Sequence, residues 1–282
     1  VRLKKKLLVL QTDFGLVDGA VAAMHGVAYM VAQDLTINNL THDIPPYDIN
    51  AASYRLWQTI NYWPTGTVFV SVVDPGVGSS RQSIAVKTKS GHYVVTPDNG
   101  TLTHVKKFIG IESTRIIDEA TNRLPHSEES HTFHGRDVYV YNGAMIANDS
   151  NYFDSLAVGD DVNEVIKLEV LDPVFDGEVI HGVIDILDIR FGSLWTNIPS
   201  SLLKEADINT GDTILVTIHH HDMKQYQNQM LFGHSFADVK IGETVGYVNS
   251  LIRLGIAINQ QSFSDTYKIG TGNEWKISIK KV

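Results

Sequence analysis

VFVSVVDPGVGSSR, residues 68–81, is the stretch whose reading decides the fold. Its first six residues are mostly β-branched and apolar, which predicts a buried strand, and Asp74 and Pro75 end it because proline cannot continue a ladder. Gly76 and Gly78 follow, where a missing side chain lets a substrate come close to the backbone. A second polar turn, FHGRD at residues 133–137, has the same character. Together the two turns read as an active site built on loops, and so as an enzyme rather than a binding scaffold.

On either side of this strand the first half alternates strand and helix signals. Residues 7–10 make a short apolar strand, 20–32 have the spacing of a packed helix, and 38–41 predict another strand. HDIPPYD then interrupts regular structure, 51–62 read as an amphipathic helix, and 67–73, 83–88 and 93–96 as strands, the last ending in the turn signal PDNG. Residues 132–148 start in the FHGRD turn and run into a helix. The alternation predicts an α/β layer with a largely parallel central sheet.

Beyond about residue 165 the texture changes. Short β-branched runs separated by Asp-Pro, Asp-Gly and Gly-Ser predict a smaller C-terminal β-barrel-like domain or sandwich. The expected division is an α/β domain over 1–165 and a β domain over 172–282, with no low-complexity linker and no internal repeat.

Composition narrows the function classes. With Lys+Arg 23 against Asp+Glu 32 the formal net charge is -9, which leaves no broad cationic field for nucleic acid. The basic opening, Arg2 with Lys4, Lys5 and Lys6, is too short to change that. Cysteine is absent, so thiol nucleophiles, disulfides and cysteine-ligated metals are excluded. LLVLQTD lacks a secretory leader's form and no apolar run approaches the roughly 20 residues that cross a bilayer, so a cytoplasmic protein without membrane partners is expected.

Asp74, Arg81 and His134 form the first candidate cluster. A guanidinium fixes a carboxylate, and aspartate and histidine orient water or take its proton; a turn salt bridge with a surface histidine is the structural alternative. Asp13, after the first strand, is placed to accept from ribose hydroxyls, whereas Asp18 reads as a helix cap. The run His219, His220, His221 and Asp222 is rich in metal ligands, as is His42 with Asp43, but adjacent residues of a strand point to opposite faces, so no metal site is expected. In the second half, Asp188 suits a ligand ammonium, and Phe191, Ser193 and Trp195 share one strand face if Gly192 leaves the alternation intact; core packing is the competing reading.

TDFG, HDIPPYDI, VFVSVVDPGVGSSR, TPDNG, TFHGRD, FGSLWTNIP and the NS…LGIAIN tail, taken in order, resemble the S-adenosyl-L-methionine hydroxide adenosyltransferase family, related to the adenosyl-fluoride and adenosyl-chloride synthases. The resemblance implies hydrolysis of S-adenosyl-L-methionine to adenosine and L-methionine, with Asp74, Arg81 and His134 holding the attacking water and no cofactor beyond the substrate. It implies substrate contacts from Asp13, Tyr47 and Phe133, from Asp188 to the methionine ammonium, from Ser250 to its carboxylate, and from Phe191, Trp195 and Phe236 to the adenosyl group. A homotrimer is implied, with sites between one subunit's N-terminal domain and a neighbour's C-terminal domain. His134 followed by Gly135, where fluoride-capturing relatives carry serine, favours hydroxide over halide. Ser193 departs from the family's adenine-recognising asparagine and offers fewer hydrogen bonds. A binder that kept the pocket without the chemistry, and a halide-dependent transferase, are the alternatives.

Overall fold

The computed structural model describes residues 6–282; Arg2, Lys4 and Lys5 of the basic opening lie outside the described residues. The chain divides into two compact units, one ending at Leu168 and the other beginning at Glu169.

The first unit runs β1 (Leu7–Thr12), α1 (Ala20–Val31), β2 (Thr36–Thr41), α2 (Ile49–Ile60), β3 (Val68–Val72), β4 (Ser83–Thr88), β5 (Tyr93–Pro97), α3 (Thr103–Phe108) and β6 (Ile111–Ile117). A widened π-helical turn (Gly135–Val140) then leads into α4 (Tyr141–Asn148), α5 (Asn151–Ser155) and β7 (Ala157–Val158). The sheet order is β2-β1-β3-β5-β4-β6-β7. Its β2, β1, β3 and β5 are parallel, and all five residues of β3 are buried, as a strand covered on both faces requires. Beyond β5 the pairing turns antiparallel, because only residues 89–92 separate β4 from β5 and so short a link cannot make a parallel crossover.

Two apolar layers sandwich the sheet. Leu8, Leu10, Val68 and Val70 pack with α1 and α4 on one face, and Val9, Phe69, Ile84 and Val94 with Leu56 and Ile60 of α2 on the other. Odd and even strand positions thus serve opposite cores, leaving the strand ends for polar groups.

The second unit contains β8 (Val174–Phe175), β9 (Ile180–Asp188), β10 (Ser193–Pro199), α6 (Ser200–Glu205), β11 (Thr213–His220), β12 (Met223–Phe232), a 3-10 turn (Phe236–Asp238), β13 (Thr244–Val248), β14 (Arg253–Ile258), α7 (Phe263–Tyr267) and β15 (Gly272–Lys281). The order β10-β14-β13-β12-β11-β15-β9, with β9 also paired to β10, closes a seven-stranded barrel, and β8 extends it from β9. Closure removes the exposed edges that a short-stranded sheet would otherwise present. Its interior is filled by Ile180, Leu194, Ile214, Val216, Ile256 and their neighbours. Among the described residues no helix is long and apolar enough to cross a membrane.

Candidate active site

The loops after β1, β3 and β6 converge on a cavity of about 360 Å³ lined by Asp13, Phe14, Tyr47, Asp74, Phe133 and His134, among others. β1 and β3 are parallel neighbours in register from Leu8↔Val68 to Thr12↔Val72, so Asp13 and Asp74, just past their ends, emerge on the same edge of the sheet. The carboxylate of Asp13 accepts the backbone N–H of Tyr47 at 2.9 Å, which ties the first loop to the HDIPPYD segment. Tyr47 itself is largely exposed and sits at φ 69, a conformation that costs a tyrosine energy. Asp18 is not the cap expected of it: Gly19 is the N-cap residue of α1, and the Asp18 carboxylate, one residue earlier, accepts from Ala20 N–H at 2.9 Å in a local turn.

Asp74, Arg81 and His134 meet in three dimensions although 60 residues separate the first from the last. Gly78, at φ +77, turns the chain back so that Arg81 faces Asp74. Arg81 Nε lies 3.0 and 3.1 Å from the two Asp74 oxygens, and Nη2 donates to Oδ2 as well. The second Nη2 proton reaches His134 Nδ1 at 3.3 Å, while Nη1 donates to Ser83 Oγ at 3.1 Å and to Glu119. All five guanidinium N–H groups are therefore engaged by protein. Burial opposes the charge of Arg81, but the hydrogen bonds to Asp74 and Glu119 outweigh it and raise its pKa above the ordinary arginine value. Arg81 does not line the cavity; Asp74 and His134 do.

His134 is 2% exposed, and its Nε2 has no hydrogen-bond partner. Burial lowers its pKa, only partly offset by the nearby Glu119 carboxylate, so the ring is neutral at pH 7. With Arg81 donating to Nδ1, the proton of the neutral ring belongs on Nε2. Phe133 and Phe14 pack edge to face beside it at 5.8 Å, and Arg136 lies over Phe133 while pairing with the buried Asp137.

Glu119, Ser83 and Tyr139 belong to the same cluster and were not expected from the sequence. Ser83 Oγ is 2.5 Å from Glu119 Oε1 and 2.7 Å from Tyr139 OH. The signal that points to Glu119 is a carboxylate within two residues of a strand end, the position type that exposed Asp13 and Asp74.

His42, from the first half's other candidate pair, is buried, with Nδ1 2.8 Å from Thr12 Oγ1. Its carbonyl accepts Gly15 N–H at 2.8 Å, so it braces the Asp13 loop. Burial, aided by the charge of His25 and opposed by Asp43, lowers its pKa from 6.5 to about 4. A folded-state pKa below the unfolded one contributes stability that is complete above pH 6.5 and is lost as pH falls towards 4. The loss is on the order of 2 kcal/mol after allowance for partial solvation. Urea unfolding at pH 7 and pH 4.5 should show it, and His42→Gln should remove that share; an undiminished pH dependence in the variant would assign the loss elsewhere.

In the second unit Ser193 faces Asp188 across the β9–β10 pair, and Trp195 Nε1 donates to Tyr247 OH at 3.2 Å. Tyr247 also stacks at a tilt against Phe236, 4.8 Å away, and so joins two expected residues that sequence did not connect. The alternation does not extend to Phe191. Gly192 takes φ +67 in a turn closed onto Asp188 O, so Phe191 is 67% exposed while Ser193 and Trp195 are buried. Ser250 is exposed in the turn after β13. His219 and His220 end β11, and His220 stacks on Trp275 at 4.2 Å. Among the described residues no group of three or more His, Asp or Glu converges as a metal site.

An α/β unit with an acid–arginine–histidine cluster at its strand ends, followed by a closed β-barrel unit, defines a two-unit architecture with a solved counterpart from Thermotoga maritima, a protein described as uncharacterized. It superposes with TM-score 0.88 at 29% identity, covering 97% of this chain and 100% of that one. The model of the SAM hydroxide adenosyltransferase N-terminal domain matches residues 8–156, and that of the C-terminal domain residues 182–276. The chain belongs to the SAM hydroxide adenosyltransferase family. The (R)-S-adenosyl-L-methionine hydrolase of Methanocaldococcus jannaschii is 38% identical over 218 residues, 76% of this chain and 74% of the relative. That of Salinispora tropica is 29% identical over 269 residues, 95% of each. A fluorinase of Nocardia brasiliensis is 25% identical, with 98% of each chain covered.

Proposed function

We propose that this protein hydrolyses S-adenosyl-L-methionine to adenosine and L-methionine, oxygen from water entering at ribose C5′. The observation that carries the reading is Asp74 beside His134 on the wall of a cavity that Asp13, Tyr47 and Phe133 also line. The carbon–oxygen bond forms as the carbon–sulfur bond breaks, sulfur keeps the bonding pair and leaves as a neutral thioether, and the water proton passes to Asp74. His134 Nε2–H holds the entering oxygen in place, and Arg81 fixes both partners from behind. The sulfonium is already a good leaving group, so positioning and desolvation of the nucleophile are the main demands and no metal is required. With Arg81 between two carboxylates and His134 neutral, the cluster carries one net negative charge, which favours a cationic substrate.

The barrel unit is proposed to supply Asp188 and Ser250 to the methionine end and Phe191, Ser193, Trp195 and Phe236 to the adenosyl end, in a homotrimer where they come from a neighbouring subunit. The exposed Ile189, Phe191 and Ile252 on its turns support such a contact. Halide transfer is the lesser reading. A Cβ at Gly135 would stand 2.9 and 3.1 Å from the Phe14 ring, so the aromatic wall takes the space where a fluoride-capturing serine would sit.

The test is incubation with S-adenosyl-L-methionine in halide-free, metal-free buffer containing ¹⁸O-water, with products separated by chromatography. Equimolar adenosine and methionine with ¹⁸O in the adenosine support hydrolysis. Binding without turnover moves the case to a non-catalytic binder, and turnover restored only by chloride to halide transfer. His134→Ala should lower kcat by about 10²-fold while KM stays within a few-fold; an unchanged kcat removes His134 from the mechanism.

A further inference from the structure

We propose that Glu119 is a fourth member of the site, a positioning residue that clamps Arg81 from the side opposite Asp74 and sets the electrostatic environment of His134. The inference rests on the hydrolytic reading for its kinetic consequence, but its geometry stands apart from the substrate's identity. β4 and β6 are antiparallel with Ser83 opposite Ile117, which brings Glu119, two residues past Ile117, level with Arg81 and within reach of Ser83. One oxygen of Glu119 accepts from Arg81 Nη1 and Ser83 Oγ; the other lies 3.4 Å from His134 Nδ1. Tyr139, fully buried, backs the arrangement through Ser83 Oγ and places its ring 5.6 Å from the Arg81 guanidinium.

A planar guanidinium held by one carboxylate still swivels about it. Held by two, on different edges, its plane is fixed, and with it the Nη2–H that points at His134. Burial tends to raise the pKa of Glu119, yet the hydrogen bonds from Ser83 and Arg81 bring it below its ordinary value, so the clamp is charged at neutral pH. The charged groups that act on His134 are Glu119, Arg81, Arg123 and Asp74, and the His131 ring lies 6.4 Å away. Glu119 is the largest of these influences favouring the protonated ring.

The test compares Glu119→Gln, Glu119→Asp and the unaltered full-length protein by kcat and KM across pH, and by NMR titration of the histidine rings. Glu119→Gln should lower kcat roughly tenfold or more, with a smaller change in KM, because the misplaced groups act on the reacting centre rather than on binding. The His134 midpoint and the acid limb of the kcat profile should both move to lower pH, since a partner that favoured the proton is gone. Glu119→Asp keeps the charge and should bring back part of both effects. Wild-type kcat in Glu119→Gln, or a fall in kcat with an unmoved His134 midpoint, overturns the proposal. If Glu119→Gln fails to fold, Ser83→Ala carries the test: it removes one of the two donors that hold Glu119 without discharging it and should lower kcat severalfold, and an unchanged kcat overturns the proposal. If the unaltered protein does not turn over S-adenosyl-L-methionine, the hydrolytic reading fails, while the His134 midpoints still decide whether Glu119 governs that ring.

Discussion

Asp74→Ala is expected to reduce adenosine formation by about 10³-fold, the middle of the range for loss of a positioned proton acceptor. The carboxylate does two things at once. It faces the cavity, and it takes the Nε and Nη2 hydrogen bonds of a guanidinium whose side chain is 9% exposed. Removing one partner of a buried pair can cost about 3–5 kcal/mol, lessened here because Glu119 still accepts from Arg81. Asp74→Asn separates the two roles: the amide oxygen still accepts from Arg81, so stability should fall less, whereas turnover should fall nearly as far. Chromatographic kcat and urea unfolding on both variants read the comparison. An asparagine variant within severalfold of wild-type kcat would show that the proton goes elsewhere.

Gly143→Val is expected to destabilise the first unit by about 3 kcal/mol, or roughly 6–12 °C in Tm. Gly143 lies in α4 where that helix crosses β3, and an added Cβ would sit 2.3 Å from Val70 Cγ2 and 3.4 Å from Leu8 Cδ1. Neither neighbour yields easily, since both are completely buried and Val70 has the stiff χ1 of a β-branched residue. Even Gly143→Ala should lose stability: the helix gains about 1 kcal/mol from the better helix former, but overpacking at this distance costs more. An alanine variant that melts above wild type in calorimetry would mean that the helix has room to lift from the sheet.

How much of this was legible in the sequence depends on whether the information is local. The β1 and β3 runs, the helices starting at Ala20 and Ile49, and the acids and turns after the strands were readable because each is set by neighbouring residues. The cluster of Asp74, Arg81 and His134 was readable as residue types, and its family resemblance supplied the roles. The antiparallel part of the sheet was also within reach, since only four residues separate β4 from β5, but the strand–helix rhythm of the segments before it outweighed that local cue. Glu119 is different in kind. Its place two residues past the end of β6 is a cue too common to single it out, and it joins Arg81 and His134 through the long-range pairing of β4 with β6. Phe191 shows the converse: the strand alternation begins at Ser193 and does not reach back to it, because Gly192 turns the chain.

The π-helical turn at Gly135–Val140 joins His134 to α4, whose packing on the sheet is fixed by the core. A turn of that kind holds about one residue more than an α-helical turn, and each residue of an α-helix advances the chain by about 100°. Deleting a single residue there would relax the segment into ordinary α-helix and swing everything before it by about that angle, with α4 unmoved. The direction in which His134 points is thus encoded by a count of residues as much as by their identities, and the segment's length is a heritable setting that substitution alone cannot reach.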